Sequence, residues 1–147
     1  MNDLPKPLPT ATPTSAPFWE GLRAGVVRIQ HCGDCDRFVF YPRSHCPHCL
    51  SPELEWRTVP GRGTLHTFTV TATPTARMFA DEVPQKLAIV ELDEGVRLAT
   101  TLVDVEPDGI EIGMRLEPVF SPTDGGEGVL LRFRPAREDA PTGGPTA

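Results

Sequence analysis

The chain holds 147 residues, with 20 acidic and 14 basic side chains for a formal charge of −6. That balance excludes an undirected grip on nucleic acid or anionic membrane, since both need a basic footprint. Its 17 prolines are more than twice the ~5% share of ordinary proteins, which excludes a helical bundle, because proline lacks an amide donor and clashes inside a helix.

The length suits one domain of ordinary size or two small ones. No run approaches the roughly 18 apolar residues that cross a bilayer, and no basic segment leads into an apolar stretch at the N-terminus. The expectation is a cytoplasmic protein, where thiols stay reduced and four cysteines are read as metal ligands sooner than as two disulfides.

In chain order, residues 1–16 carry Pro5, Pro7, Pro9 and Pro13 among small polar residues and predict a disordered leader. Next, Phe18, Trp19 and Leu22 fall at helical spacing, with Ser15 as a candidate cap, Pro17 tolerated in the first turn and Gly25 as a stop. A short helix with an apolar face follows. Such a face either covers the chain's own core or docks on a partner subunit, because two helical turns are marginal without something to pack against.

From Val26 the pattern turns to short β-type runs at 26–30, 37–41 and 54–59. Between these runs lie all four cysteines, spaced Cys32-x2-Cys35-x10-Cys46-x2-Cys49. Each CxxC forms a knuckle that aims two thiolates at one point, and two facing knuckles close a tetrahedral S4 shell. The pattern predicts one structural Zn per chain, with no open coordination position for chemistry. A rubredoxin-type iron centre uses the same knuckles, and a redox disulfide needs only one of them. His31, His45 and His48 adjoin the cysteines and are expected around the shell, not in it.

Beyond Pro60 the runs lengthen, at 63–73, 87–93, 96–103, 114–120 and 129–134, with Asp93-Glu94-Gly95 as a tight hairpin. Five strands in so short a stretch predict a small barrel, with the connection 74–85 placed to cover its mouth. His66 sits in a period-2 strand and is expected to be solvent-facing or satisfied in the core. The organisation is therefore a leader (1–16), helix and ribbon (17–60), barrel (61–135) and a disordered tail (136–147).

Taken together, Phe18-Trp19-x-Gly21-Leu22-x2-Gly25, Gln30-x-Cys32-x2-Cys35 and Tyr41-Pro42-Arg43-x2-Cys46-Pro47-x-Cys49 resemble the signature of the DUF35 family. The second half fits as well, through Trp56, Gly61-x-Gly63-x-Leu65, Val90-x-Leu92-Asp93-Glu94-Gly95-x-Arg97, Gly113-Met114 and Phe133-x-Pro135. Two positions depart from the family pattern: Asp36 stands where Gly often follows the first knuckle, and Tyr41-Pro42 where paired prolines precede the arginine.

The resemblance implies a mainly β chain with a short N-terminal helix, a rubredoxin-like zinc ribbon and a five-stranded OB-fold. It also implies a non-catalytic accessory subunit in a hetro-oligomer with an acyl-CoA enzyme, either a thiolase-fold acyltransferase or aldolase or a MaoC-type hydratase. Phe18, Trp19 and Leu22 are then interface candidates. Should CoA touch the chain, its phosphates would seek guanidinium groups, with Arg43, Arg97, Arg62 and Arg77 as candidates.

Two other function classes compete. Zinc ribbons and OB barrels also bind single-stranded nucleic acid, but that reading wants basic strands with exposed aromatics, and the barrel half here carries Glu91, Asp93, Glu94, Asp104, Glu106 and Glu117. A self-sufficient small acyl-CoA thioesterase or hydratase needs a catalytic dyad, and no nucleophile–base pattern is visible in the sequence.

Overall fold

The computed structural model describes residues 4–137. Residues 1–3 of the expected leader and 138–147 of the expected tail lie outside them. Helix α1 spans Ala16–Arg23 with Pro17 in its first turn. Ser15 occupies the cap position, yet its side chain makes no capping bond. The capping oxygen belongs to Thr12, whose Oγ1 accepts the Ser15 N–H at 3.1 Å, while Ala16 N–H donates to Thr12 C=O at 2.8 Å. Ser15 is itself helical in backbone, so the turn begins three residues earlier than the residue pattern implies.

The ribbon is a three-stranded antiparallel sheet of β1 (Val27–Cys32), β2 (Phe38–Val39) and β3 (Leu54–Val59), ordered β2-β1-β3. The barrel sheet holds β4 (Gly63–Thr71), β5 (Gln85–Leu92), β6 (Arg97–Thr101), β7 (Arg115–Pro122) and β8 (Val129–Pro135). Its order is β6-β5-β4-β7-β8, and an isolated parallel bridge between Leu102 and Phe133 brings the two ends together. This nearly closed five-stranded sheet is an OB-type barrel.

Strand β4 serves two neighbours, pairing with β5 along its length and with β7 at Gly63 and Thr64. A bulge between Leu65 and Thr67 makes this possible by adding curvature at the corner. His66 is the extra residue of that bulge and is exposed, so it belongs to the turning of the strand. At Gly63 a Cβ would lie 2.5 Å from the Glu91 carbonyl oxygen, and only glycine permits that approach.

One apolar core runs through both sheets. Phe133, Leu116, Leu65, Val90 and Leu92 fill the barrel, and Val27, Ile29 and Val59 from the root of the ribbon belong to the same cluster. The expected division at 60/61 thus marks a change of sheet while the core continues across it. Gly61 turns the chain there at φ +77°, with Val27 Cγ2 at 2.7 Å from where a Cβ would stand.

Candidate metal centre and apolar groove

The two knuckles share one form. Cys32 C=O accepts the Asp36 N–H at 3.0 Å, and Cys46 C=O accepts the Leu50 N–H at 2.8 Å. Both closing residues are left-handed, Asp36 at φ +63° and Leu50 at φ +66°. Such a position favours glycine and tolerates Asp, which accounts for Asp36 where the family pattern often has Gly. Cross-ties complete the frame: Cys32 N–H donates to Arg37 C=O and Cys46 N–H to Ser51 C=O, each at 2.8 Å.

All four Sγ atoms lie within 4.8 Å of one another, with Cys32–Cys49 and Cys35–Cys46 each 3.6 Å apart. A tetrahedral ion with Zn–S bonds of ~2.3 Å has an S···S edge of about 3.8 Å, so the cluster fits a tetrahedral thiolate ion. Backbone amides point at the sulfurs, Cys35 N–H at 3.5 Å from Cys32 Sγ and His48 N–H at 3.3 Å from Cys46 Sγ. Burial pushes the Cys35 thiol up to about 12, helped by its hydrogen bond to Cys46. Burial also opposes ionisation of Cys46, but the Cys49 and His48 N–H groups outweigh it and bring that thiol to about 7. A bound cation ends this competition by taking every sulfur as thiolate.

The histidines stand outside this cluster. His31 is buried, with Nε2 2.7 Å from Asp36 Oδ1, and His48 Nδ1 lies 3.2 Å from Arg37 Nη1. Gln30, also buried, donates from Nε2 to Arg43 C=O at 2.9 Å and accepts the Arg43 N–H at 2.8 Å, which pins the loop between the knuckles.

A second feature is an open apolar groove of about 680 Å³ where helix, ribbon and barrel meet. Trp19, Phe40, Tyr41, Phe79, Leu98 and Leu131 line it. Phe79 comes from the 3-10 segment Arg77–Glu82, inside the connection expected to cover the barrel mouth. The leader also reaches this place: Thr10 and Thr12 line the groove, and Lys6 Nζ binds Glu82 Oε2 at 2.6 Å and Asp81 at 3.2 Å.

The three helix residues proposed as an interface separate. Phe18 (7% exposed) and Leu22 (1%) are buried in the chain's own core, because the helix lies on β1 and β8. Trp19 keeps partial exposure; it lines the groove together with Phe18, their rings 5.0 Å apart in an edge contact.

The four arginines divide similarly. Tyr41 Oη accepts the Ala99 N–H at 3.3 Å, which sets the ribbon loop beside β6 and puts Arg43 and Arg97 two residues from either end of that contact. Both are exposed, and Arg97 Nε pairs with Glu91 at 3.0 Å. Arg62 opens the barrel within the field of Asp93 and Glu117, while Arg77 starts the 3-10 segment whose Phe79 and Glu82 line the groove. Sequence reasoning reached Phe79 through the connection 74–85 but passed over Tyr41 and Arg132 as groove residues. The three are far from one another in the chain, and for Tyr41 only the aromatic doublet Phe40-Tyr41 offered a local signal.

The family models that match describe the ChsH2 rubredoxin-like zinc ribbon domain over residues 19–55 and the ChsH2 C-terminal OB-fold domain over residues 56–121. A DUF35 domain-containing scaffold protein of Methanothermobacter thermautotrophicus is 39% identical over 110 residues, covering 71% of this chain and 82% of that protein. A probable enoyl-CoA hydratase alpha subunit of Thermomonospora curvata is 37% identical over 133 residues, 89% of this chain; the chain spans 40% of that relative's length. Among solved structures, an Ltp2-ChsH2(DUF35) aldolase superposes with a TM-score of 0.77 at 34% identity, covering 87% of this chain and 98% of that one.

Proposed function

The chain belongs to the DUF35 family of ChsH2-type zinc-ribbon and OB-fold proteins, and on that premise we propose that it is a non-catalytic accessory subunit of an acyl-CoA enzyme. The partner is a thiolase-fold acyltransferase or aldolase, or a MaoC-type hydratase, and the reacting groups sit on that partner. The observation that carries this reading is the groove. It is a large apolar surface where helix, ribbon and barrel meet, and among the described residues its lining gathers no nucleophile–base pair, while the four ribbon sulfurs are turned to one another.

The metal is a structural Zn, one per chain, held by Cys32, Cys35, Cys46 and Cys49. When bound it supplies a cross-link between the knuckles and no Lewis-acid chemistry, since four protein ligands fill its shell. Trp19 is the docking residue of α1. In this reading Arg43 and Arg97, exposed on either side of the Tyr41–Ala99 contact, take the phosphates of a CoA thioester held at the joint with the partner.

Co-expression with thiolase-fold and hydratase candidates tests this. The expected result is a stable complex with one of them, weakened roughly 30-fold by Trp19→Ala as a hot-spot aromatic. Arg43→Ala and Arg97→Ala then raise KM more than they lower kcat, because contacts remote from the reacting carbon bind ground state and transition state alike. Steady turnover of acyl-CoA by the isolated chain overturns the reading.

A further inference from the structure

We propose that the groove takes an extended acidic segment of the partner polypeptide, which adds to the free edge of β6 as a further strand. This rests on the accessory-subunit reading above and names how the partner is held.

The main-chain phase of β6 follows from its bonds to β5. Leu92 N–H donates to Val96 C=O, and Leu102 N–H donates to Lys86 C=O, each at 2.8 Å. Residues 98, 100 and 102 therefore turn their polar main-chain groups toward β5, and Arg97, Ala99 and Thr101 turn theirs away. The opposite wall is similar. Phe133 C=O accepts the Val103 N–H at 2.8 Å, so Phe133, Leu131 and Val129 face away from β7; opposite Phe133 and Val129 stand Pro118 and Pro122, which have no N–H to offer.

Two strand edges thus face each other, and among the described residues their one main-chain bridge is Leu102–Phe133. One step further the gap is spanned by a side chain, the Thr100 hydroxyl donating to Leu131 C=O at 2.9 Å. Beyond it the groove opens between the strands, lined by residues of both. The Ala99 N–H meanwhile rests on the hydroxyl of Tyr41, a half-exposed ring at 3.3 Å, where an incoming carbonyl would accept it better. An unpaired edge beside an apolar wall is the setting in which a peptide strand gains main-chain bonds and side-chain pockets together.

Charge selects the occupant. Arg132 lines the groove with Nη1 donating to Thr101 Oγ1 at 2.6 Å, and among the described residues it has no carboxylate within the 4.0 Å of an ion pair. Glu82, the acidic residue of the lining, is already matched by Lys6 at 2.6 Å. The groove's remaining charge is positive, at the strand edge itself, so the segment carries an Asp or Glu opposite Arg132.

The test uses the zinc-loaded full chain and a blocked octapeptide of alternating Val and Thr with one central Asp. Binding should slow hydrogen exchange of the Ala99, Thr101 and Val129 amides. N-methylation of alternate peptide amides, or Asp→Asn in the peptide, should each cost about tenfold in affinity, and Arg132→Gln should match the second loss. Ala99→Pro supplies the second variant, because its N–H faces away from β5 and the edge tolerates proline without losing a ladder bond. Failure of the peptide to bind at millimolar concentration, or equal binding by the N-methylated form, overturns the proposal. With a purified acyl-CoA enzyme, a complex that survives Ala99→Pro unweakened sinks the strand-addition mode and leaves the accessory role standing. If no such enzyme binds the unaltered chain, it is the accessory role that fails, and the peptide result still judges the edge.

Discussion

The tip of the ribbon and the barrel are both β-structure, yet they are held by different forces. Thirteen buried residues fill the cluster shared by the barrel and the ribbon root, whereas the tip has three, Cys32, Val39 and Cys46, two of which belong to the sulfur cluster. A cluster that small gives little hydrophobic stabilisation, so the knuckles depend on a cation where the barrel depends on burial. The border between the two regimes runs through β1: its start, Val27 and Ile29, packs into the barrel core, and its end, Cys32, belongs to the tip.

The largest effect should come from removing the metal, because a structural thiolate site contributes on the order of 10 kcal/mol or more to such a unit. Chelation or Cys46→Ser should abolish amide protection across residues 33–53 and leave Val27, Ile29 and the barrel strands protected. Loss of all protection in one step would show that tip and barrel are a single cooperative unit. Phe133→Ala should have the opposite pattern. Its side chain is fully buried at the closure of the barrel, so about 3–5 kcal/mol should be lost from global stability in denaturant titration, with metal content at equal folded fraction unchanged.

Gln30→Ala sharpens the border itself. It removes two bonds to the Arg43 main chain and should cost about 1–2 kcal/mol, seen as faster zinc release to a chelator with little change in barrel exchange rates. Leu50→Gly acts in the favourable direction. Leu50 is 76% exposed and left-handed, so glycine should relieve roughly 1 kcal/mol of backbone cost, read as a higher Tm of the ribbon transition.

The smallest effect is electrostatic and lies on the barrel. Arg115 makes a two-pronged contact with Asp93, at 2.8 and 3.0 Å, and holds that carboxyl below its ordinary value of 3.8 against the opposing push of burial. A depressed carboxylate stabilises the fold above its unfolded pKa, and that stability fades as pH falls through the lower folded value. The pair is half exposed, so no more than about 1 kcal/mol is expected. Arg115→Gln should flatten the stability profile below pH 4 by that amount and leave pH 7 metal affinity untouched.

Much of this protein was legible in its sequence because the deciding signals are local. The CxxC spacing brought four sulfurs together, and alternating apolar residues placed all five barrel strands within a few residues of where they lie. Turn chemistry marked the Asp93-Glu94-Gly95 hairpin, with Gly95 at φ +96°. What only the tertiary structure decided depends on which segments meet. Helical spacing grouped Phe18, Trp19 and Leu22 without saying which side another part of the chain would cover, and β1 and β8 covered two of them. Period-2 alternation at His66 could not reveal a bulge that exists because β4 must serve two neighbours. The groove, with Trp19, Tyr41, Phe79 and Arg132 drawn from four separate segments, exists only once β6 and β8 part beyond Phe133. Periodicity reports a residue's own element, and a surface built between elements has no periodicity to report.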